Sequence, residues 1–168
     1  STTEWCAGTN SSTNLTASIS GGTGPFSYSW SGTNISPTNA QIATVNPGTE
    51  GSYTYTVTIT DAFNCTSSAT KTITVDSVPS ASAGVNQAIC PGASATLGGS
   101  PTASGGNSPY NYAWNNGASP VSNPVVSPVS TTTYTVTVTD NKGCTATSAS
   151  TVTVKPGPVA NAGADINL

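Results

Sequence analysis

Residues 53–60, YTYTVTIT, decide how this 168-residue chain folds. Every second residue is aromatic or branched aliphatic, and every residue between them is Thr. Because successive side chains of a strand point to opposite faces, this pattern predicts a strand with one buried face and one wet face. Residues 134–139, YTVTVT, repeat the pattern. No stretch has a clear helical period, and the sequence predicts an all-β protein.

The same sequence unit occurs twice. Residues 21–30, GGTGPFSYSW, match residues 105–114, GGNSPYNYAW. Residues 55–65, YTVTITDAFNC, match residues 134–144, YTVTVTDNKGC. Each copy has a strand that begins with Tyr (the Tyr-led strand). The first copy has five more residues between Trp30 and Tyr55 than the second has between Trp114 and Tyr134. A fixed internal repeat of this length predicts tandem copies of one small domain.

A third copy begins near the end of the chain. Residues 158–163, PVANAG, match residues 79–84, PSASAG, and in the same register Ser1 matches Val85. We therefore expect the array to continue beyond Leu168, with Cys as the next residue. The expected divisions are a first repeat at 1–77 with an incomplete first strand, a second at 78–155, and the first strand of a third at 156–168.

Each repeat has the features of a small β-sandwich. Several short strands separated by turn signals fit within about 80 residues. Trp30 and Trp114 are expected in the centre of the two cores. The Tyr-led strands place Tyr53 or Tyr55, and Tyr134, where a tyrosine corner would tie a strand to a loop. We count Tyr55 and Tyr134 with the two Trp residues as the predicted core.

The composition excludes several classes of function. The chain has three Lys, no Arg and no His, only 5% charged residues and a net charge of −3. Without His there is no Ser-His-Asp or Cys-His nucleophile and no His-bound metal. With so few cations there is no basic surface for nucleic acid. No apolar run approaches the roughly 18 residues of a membrane span. No catalytic residue, metal or cofactor is predicted.

These residues resemble a known family. The string G-G-x-x-P-[FY]-x-Y-x-W, followed by V-T-[IV]-T-D-x-x-[NG]-C-T, is similar to the SprB-type and polycystic-kidney-disease-type (PKD-like) repeats of giant secreted surface adhesins of Bacteroidota. The chain departs from the PKD signature after Trp, where Ser-Gly-Thr follows Trp30 and Asn-Asn-Gly follows Trp114. The resemblance implies an immunoglobulin-like sandwich on the bacterial cell surface, with a stalk or adhesion role that includes gliding adhesins.

The four cysteines favour an oxidising, extracellular setting. Cys65 and Cys144 follow a Tyr-led strand, in the turn between the last two strands of a repeat (the F–G turn). Cys6 and Cys90 precede the second strand, near the turn between the first two strands (the A–B turn). The two turns lie at opposite poles of this topology, and a strand of eight residues spans about 26 Å. A disulfide requires Cα atoms about 5.5 Å apart.

This geometry favours an inter-domain disulfide between Cys6 and Cys144. Cys65 and Cys90 would then pair with neighbours outside this chain. Two alternatives stay open, namely one bridge per domain (Cys6–Cys65 and Cys90–Cys144) and free thiols. No C-x-x-C pair favours a metal site instead.

Two further features are less specific indications of a functional site. Asp61 and Asp140 end the Tyr-led strands, and either could serve as a calcium ligand. With six acidic residues in the chain, a side chain that caps the F–G turn fits better. Asp76-Ser77-Val78 resembles the D-[ST]-aliphatic motif for O-glycosylation in the same bacterial group, so Ser77 is a candidate modification site.

The predicted role is structural. We expect a non-catalytic repeat segment of a long extracellular surface filament or adhesin stalk. The alternative is a spacer or carbohydrate-binding module of a secreted polysaccharide- or protein-degrading enzyme. The expected partners are neighbouring repeats of the same polypeptide, other copies in a self-associated filament, and surface glycans.

Overall fold

The computed structural model describes residues 4–8, 12–161 and 163. All the regular elements in these ranges are β-strands, as the alternating pattern predicts, so the prediction of an all-β fold is confirmed. Nothing in the described ranges is a helix long and apolar enough to cross a membrane. The chain divides into two compact units. Unit 1 is Ser1–Val78 with the segments Gly105–Ser108 and Asp140–Cys144, and unit 2 is the remainder.

Unit 1 consists of two sheets. Among its described residues the strands are β1 (Glu4–Cys6), β2 (Thr13–Thr16), β3 (Ser27–Ser31), β4 (Ile35–Ser36), β5 (Ile42–Val45), β6 (Gly51–Thr60) and β7 (Thr66–Asp76). One sheet has the order β1-β7-β6-β3 and the other β2-β5-β4. The pairings are antiparallel except that β1 runs parallel to the end of β7.

Unit 2 repeats this plan with shorter strands. They are β8 (Pro79–Ala81), β9 (Gln87–Ile89), β10 (Ala95–Thr96), β11 (Ala103–Gly105), β12 (Asn111–Trp114), β13 (Val125–Val126), β14 (Thr132–Thr139) and β15 (Thr145–Val154). The main sheet has the order β12-β14-β15-β9, and β10 pairs with β13 and β11 with β8. After β15, residues 155–161 form no strand, and most of the rest of the third repeat's predicted first strand lies outside the described residues.

The core of unit 1 lies between its two sheets. Trp30 and Tyr55 are buried in it, and Leu15 and Ala43 contribute from the second sheet. The inward positions of the YTYTVTIT strand are the aromatic and aliphatic ones, while its Thr residues alternate outward. The indole N–H of Trp30 donates to the Ala40 carbonyl oxygen at 2.8 Å, which satisfies the polar atom of a buried Trp.

The core of unit 2 differs from the sequence expectation at Trp114. Tyr134 is buried as expected, but Trp114 is only partly buried and packs against two separate clusters. The cause is the shorter connection to the Tyr-led strand. The second repeat has five fewer residues there and forms only β13 where unit 1 forms β4 and β5. Less backbone therefore covers the indole, although its N–H still donates to the Val121 carbonyl oxygen at 2.9 Å.

Candidate functional site

The F–G turns are built around an aspartate at the end of each Tyr-led strand. In unit 1, Oδ1 of Asp61 accepts hydrogen bonds from the backbone N–H groups of Phe63 and Cys65, both at 2.9 Å. Oδ1 of Asp140 accepts the same two bonds, from Lys142 and Cys144, also at 2.9 Å. The capping role predicted for these aspartates is confirmed. Their carboxylates fix the backbone of the cysteine that follows four residues later.

The residue before each F–G cysteine has a left-handed backbone. Asn64 has φ of +64° and Gly143 has φ of +84°. Gly adopts this region freely, and Asn is among the few other residues that tolerate it. This requirement explains why the repeated motif reads T-D-x-x-[NG]-C at that position. The motif therefore encodes a turn that fixes the backbone position of the cysteine.

Hydrogen bonding lowers the pKa of both aspartates. At Asp140, burial is the largest single influence and opposes ionisation. The backbone N–H groups of Asn107, Cys144 and Lys142 together outweigh it, so the pKa lies below its ordinary value. At Asp61, the N–H of Cys65 is the main cause of a lowered pKa. Both carboxylates are ionised acceptors at neutral pH.

Two of the four cysteines form a disulfide, Cys6 with Cys144, and their Cα atoms lie 5.5 Å apart. The bond joins the A–B turn of the first repeat to the F–G turn of the second, and it closes a span of 138 residues. Cys144 is buried. Both bonded cysteines belong to unit 1, because unit 1 includes the turn Asp140–Cys144 of the second repeat.

The strand register separates the cysteines of each repeat. Cys6 pairs with Asp76 at the end of β7, whereas Cys65 directly precedes the start of the same strand. Eleven residues of strand span roughly 35 Å. Cys90 and Cys144 lie in the same way beyond opposite ends of β15. The structure therefore does not bring together either intra-domain pair, and Cys65 and Cys90 are exposed free thiols.

Tyr53 makes the hydrogen bonds expected of a corner tyrosine. Its hydroxyl oxygen lies 2.6 Å from Oγ1 of Thr49 and donates to the Thr49 carbonyl oxygen at 3.0 Å. The hydroxyl of Tyr55 is instead buried without a hydrogen-bond partner among the described residues. Gly32 lies against its ring so closely that a Cβ there would overlap it. No pattern in the sequence indicates this contact, because Gly32 reads as an ordinary turn residue.

The last two candidates from the sequence are the modification site at Ser77 and a metal site. Ser77 lies in the two-residue link between β7 and β8 and is partly buried. In the part of the chain that the structure describes, no three Cys, Asp or Glu side chains are grouped as metal ligands would be.

Comparisons with solved structures identify the fold. The chain resembles the N-terminal eight Ig domains of Down Syndrome Cell Adhesion Molecule isoform 1.30.30, with a TM-score of 0.50 and 13% identity, over 89% of this chain and 23% of that one. The fold is immunoglobulin-like. Insect hemolin, an immune protein, also resembles the chain, with a TM-score of 0.48 and 17% identity over 92% of this chain and 45% of that one.

A bacterial protein appears among the neighbours too. The fibronectin(III)-like modules of Clostridium thermocellum CbhA match with a TM-score of 0.40 and 11% identity, over 98% of this chain and 95% of theirs. The chain spans less than half the length of the hemolin and Down Syndrome Cell Adhesion Molecule chains. Neither a scan of protein-family profiles nor a search of curated proteins finds a match.

Proposed function

We propose that this chain is a non-catalytic structural segment of a long extracellular filament or adhesin stalk on a bacterial cell surface. Its immunoglobulin-like repeats would be linked by disulfides from the A–B turn of one repeat to the F–G turn of the next. The Cys6–Cys144 bond carries the proposal, because it connects different repeats. Down Syndrome Cell Adhesion Molecule, whose Ig domains this chain resembles, is an adhesion molecule.

The position of the bond fits a segment that bears load. Cys6 ends β1 and Cys144 directly precedes β15, so strands β2 to β14 lie between the two bonded residues in the chain. A pull applied to the two ends of the chain passes through the disulfide and bypasses these strands. The two repeats can therefore carry tension without unfolding most of their sequence.

The composition supports an exposed, extracellular segment. The chain has three Lys and no Arg, so it offers few sites to trypsin-like proteases. A disulfide persists in oxidising compartments, and the low charge of the chain favours packing of one filament against another. Surface glycans and other repeats are the partners that we propose for such a segment.

Single-molecule stretching tests this role. With the disulfide intact, complete unfolding should extend only the residues outside the span from Cys6 to Cys144. Reduction should release 138 more residues, which adds roughly 480 Å at about 3.5 Å per residue. The double variant Cys6→Ser/Cys144→Ser should behave like the reduced chain.

The matched control is Cys65→Ser/Cys90→Ser, which removes the two free thiols and should extend like the oxidised wild type. Non-reducing peptide mapping should recover Cys6 linked to Cys144. Recovery of Cys6 linked to Cys65, or full extension of the oxidised chain, would contradict the proposal.

A further inference from the structure

Strand β12 forms one edge of the main sheet of unit 2, whose order is β12-β14-β15-β9. It pairs with β14 from Asn111 to Trp114, and beyond it the backbone N–H of Asn115 donates to the Thr135 carbonyl oxygen. Because the backbone groups of an antiparallel strand point alternately to its two sides, those of Tyr112 and Trp114 point away from β14. Each of these two residues therefore presents a donor and an acceptor at the outer edge of the sheet.

The matching edge of unit 1 is partly covered by a loop. Trp30 of β3 corresponds to Trp114 in the repeat. Its backbone N–H donates to the Thr38 carbonyl oxygen at 2.7 Å. The Ala40 carbonyl oxygen, two residues later, accepts the indole N–H of the same Trp at 2.8 Å. The loop that follows β3 thus occupies a hydrogen-bond position of the edge as well as covering the indole.

The corresponding loop of unit 2 leaves its edge open. The Val121 carbonyl oxygen accepts the indole N–H of Trp114, as that of Ala40 does for Trp30 in unit 1. The carbonyl oxygen two residues earlier, that of Ser119, instead accepts the backbone N–H of Val121 at 2.8 Å. Among the described residues, none accepts a hydrogen bond from the backbone N–H of Trp114. The loop of unit 2, which belongs to the connection with five fewer residues, therefore reaches the indole but does not pair with the strand.

This edge also lacks the features by which proteins prevent edge-to-edge pairing. Such features are charged side chains, Pro residues and bulges in the edge strand. Residues 111–114 include no charge and no Pro, and they pair with β14 in one unbroken register. Residues 77–139 contain no Asp, Glu, Lys or Arg at all. Beside the edge, Trp114 is partly exposed and Val121 is half-exposed, so the strand borders an apolar surface.

The chemistry of the edge favours a second copy of the same chain as its partner. About a two-fold axis the strand meets itself antiparallel, so Tyr112 of one copy faces Trp114 of the other and the two exchange a pair of hydrogen bonds. Ala113 then lies opposite its own symmetry mate. Its side chain is small and exposed, which suits the close Cα spacing of a pair without hydrogen bonds. Two uncharged edges approach each other without electrostatic repulsion.

We propose that β12 of one copy pairs antiparallel with β12 of a second copy, about a two-fold axis at Ala113. The pairing joins two four-stranded main sheets into one continuous sheet across the two copies. It sets Tyr112 of each copy beside the partly exposed indole of Trp114 of the other, and aromatic cross-strand pairs of this kind stabilise sheets. The contact uses the same surface on both copies.

The inference rests on the proposed structural role and deepens it, since it names the surface through which copies of the segment pack side by side. The two can fail separately. A chain that stays monomeric can still bear tension through Cys6–Cys144, which the stretching experiment measures. Failure of that experiment, in turn, leaves the pairing of β12 unaffected, because the disulfide lies in unit 1 and β12 in unit 2.

Sedimentation velocity over a concentration series up to about 1 mM tests this pairing, in a Cys65→Ser/Cys90→Ser background that prevents disulfide cross-linking. The parent chain should pass from monomer to dimer as its concentration rises. Ala113→Lys and Ala113→Glu should each weaken dimerisation by about fivefold or more, because like charges directly opposite one another destabilise a strand pair. An equimolar mixture of the two variants should recover the dimer, since opposite charges then face each other across the axis. Recovery in the mixture also shows that both variants are folded.

Ser29 is the matched control position. It corresponds to Ala113 in the repeat and is exposed on β3, where Thr38 bonds the edge. Ser29→Lys and Ser29→Glu introduce the same charges and should dimerise like the parent. Equal effects at the two positions would show a general effect of charge and overturn the proposal. A parent that is monomeric at every concentration, or a mixture of the two Ala113 variants that stays monomeric, would overturn it as well.

Cross-linking in the same background provides a second readout, which reports the register. Ala113→Cys places two thiols opposite each other across the axis, at a Cα spacing within the range of a disulfide. With glutathione disulfide as the oxidant, this variant should form a covalent dimer in non-reducing electrophoresis. Asn111→Cys, at the exposed position two residues earlier, lies far from its symmetry mate in this register and should stay mostly monomeric. A covalent dimer that forms at least as readily from Asn111→Cys as from Ala113→Cys would overturn pairing about Ala113.

Discussion

At the residue scale, the hydroxyl of Tyr55 costs unit 1 stability. It is buried without a hydrogen-bond partner among the described residues, and its ring is fixed against Gly32. We expect Tyr55→Phe to raise the free energy of unfolding by about 1 kcal/mol, because it removes an unsatisfied polar group and keeps the ring. Urea denaturation at neutral pH measures this change.

The neighbouring tyrosine is the matched control for this prediction. The hydroxyl of Tyr53 bonds Thr49, so Tyr53→Phe should lower the free energy of unfolding. Burial, and to a smaller extent Tyr53, raises the pKa of Tyr55 above 10.0. A raised pKa means that the folded state holds the neutral phenol more readily than the phenolate. The free energy of unfolding is therefore unaffected by this group below pH 10 and decreases as the pH rises through the folded pKa. Tyr55→Phe should therefore also reduce the alkaline loss of stability, and a less stable Tyr55→Phe protein would contradict this account.

At the scale of elements, the sequence predicts those strands and turns that an alternating pattern or a local turn motif determines. The long strands β6 and β14 follow from aromatic and aliphatic residues alternating with Thr, and the F–G turns follow from T-D-x-x-[NG]-C. The two-residue strands β4 and β13 carry no such pattern, since tertiary pairing defines them. The place of β2 at the edge of its sheet also escaped prediction, because strand order depends on tertiary pairing.

The Asp140 turn gives a prediction that depends on pH. Asp140→Asn should lower the free energy of unfolding at neutral pH by about 1–3 kcal/mol, since the backbone donors of Lys142, Cys144 and Asn107 lose a charged acceptor. The lowered pKa of Asp140 stabilises the fold above the ordinary value of 3.8, and this contribution is lost as the pH falls through the lower folded value. The difference between variant and wild type should therefore shrink in acid.

Thermal unfolding at pH 7 and pH 3 measures this difference. Asp61→Asn should change stability in the same direction but less, since Asp61 is more exposed than Asp140. A deficit of equal size at both pH values would show that the carboxylate charge is not the cause.

At the scale of the whole molecule, the two repeats have separate cores. The buried cluster of unit 1 contains Trp30, and the clusters that Trp114 touches belong entirely to unit 2. The sequence repeat indicated two such cores. It did not indicate that the second Trp is less covered than the first, because coverage depends on the backbone that the five extra residues supply in the first repeat.

This difference sets the outcome of truncating each Trp. Trp30→Ala should destabilise its own repeat by about 3–5 kcal/mol, as expected for a buried Trp, and leave the other repeat largely folded. Trp114→Ala should act on the second repeat by a smaller amount, because its indole is already partly exposed. Differential scanning calorimetry of each variant measures this as one shifted transition and one unshifted transition. The two cores share no buried residue. Loss of both transitions from either substitution would therefore mean that they unfold as one cooperative unit. In that case the Cys6–Cys144 bond would couple them more strongly than a flexible tether does.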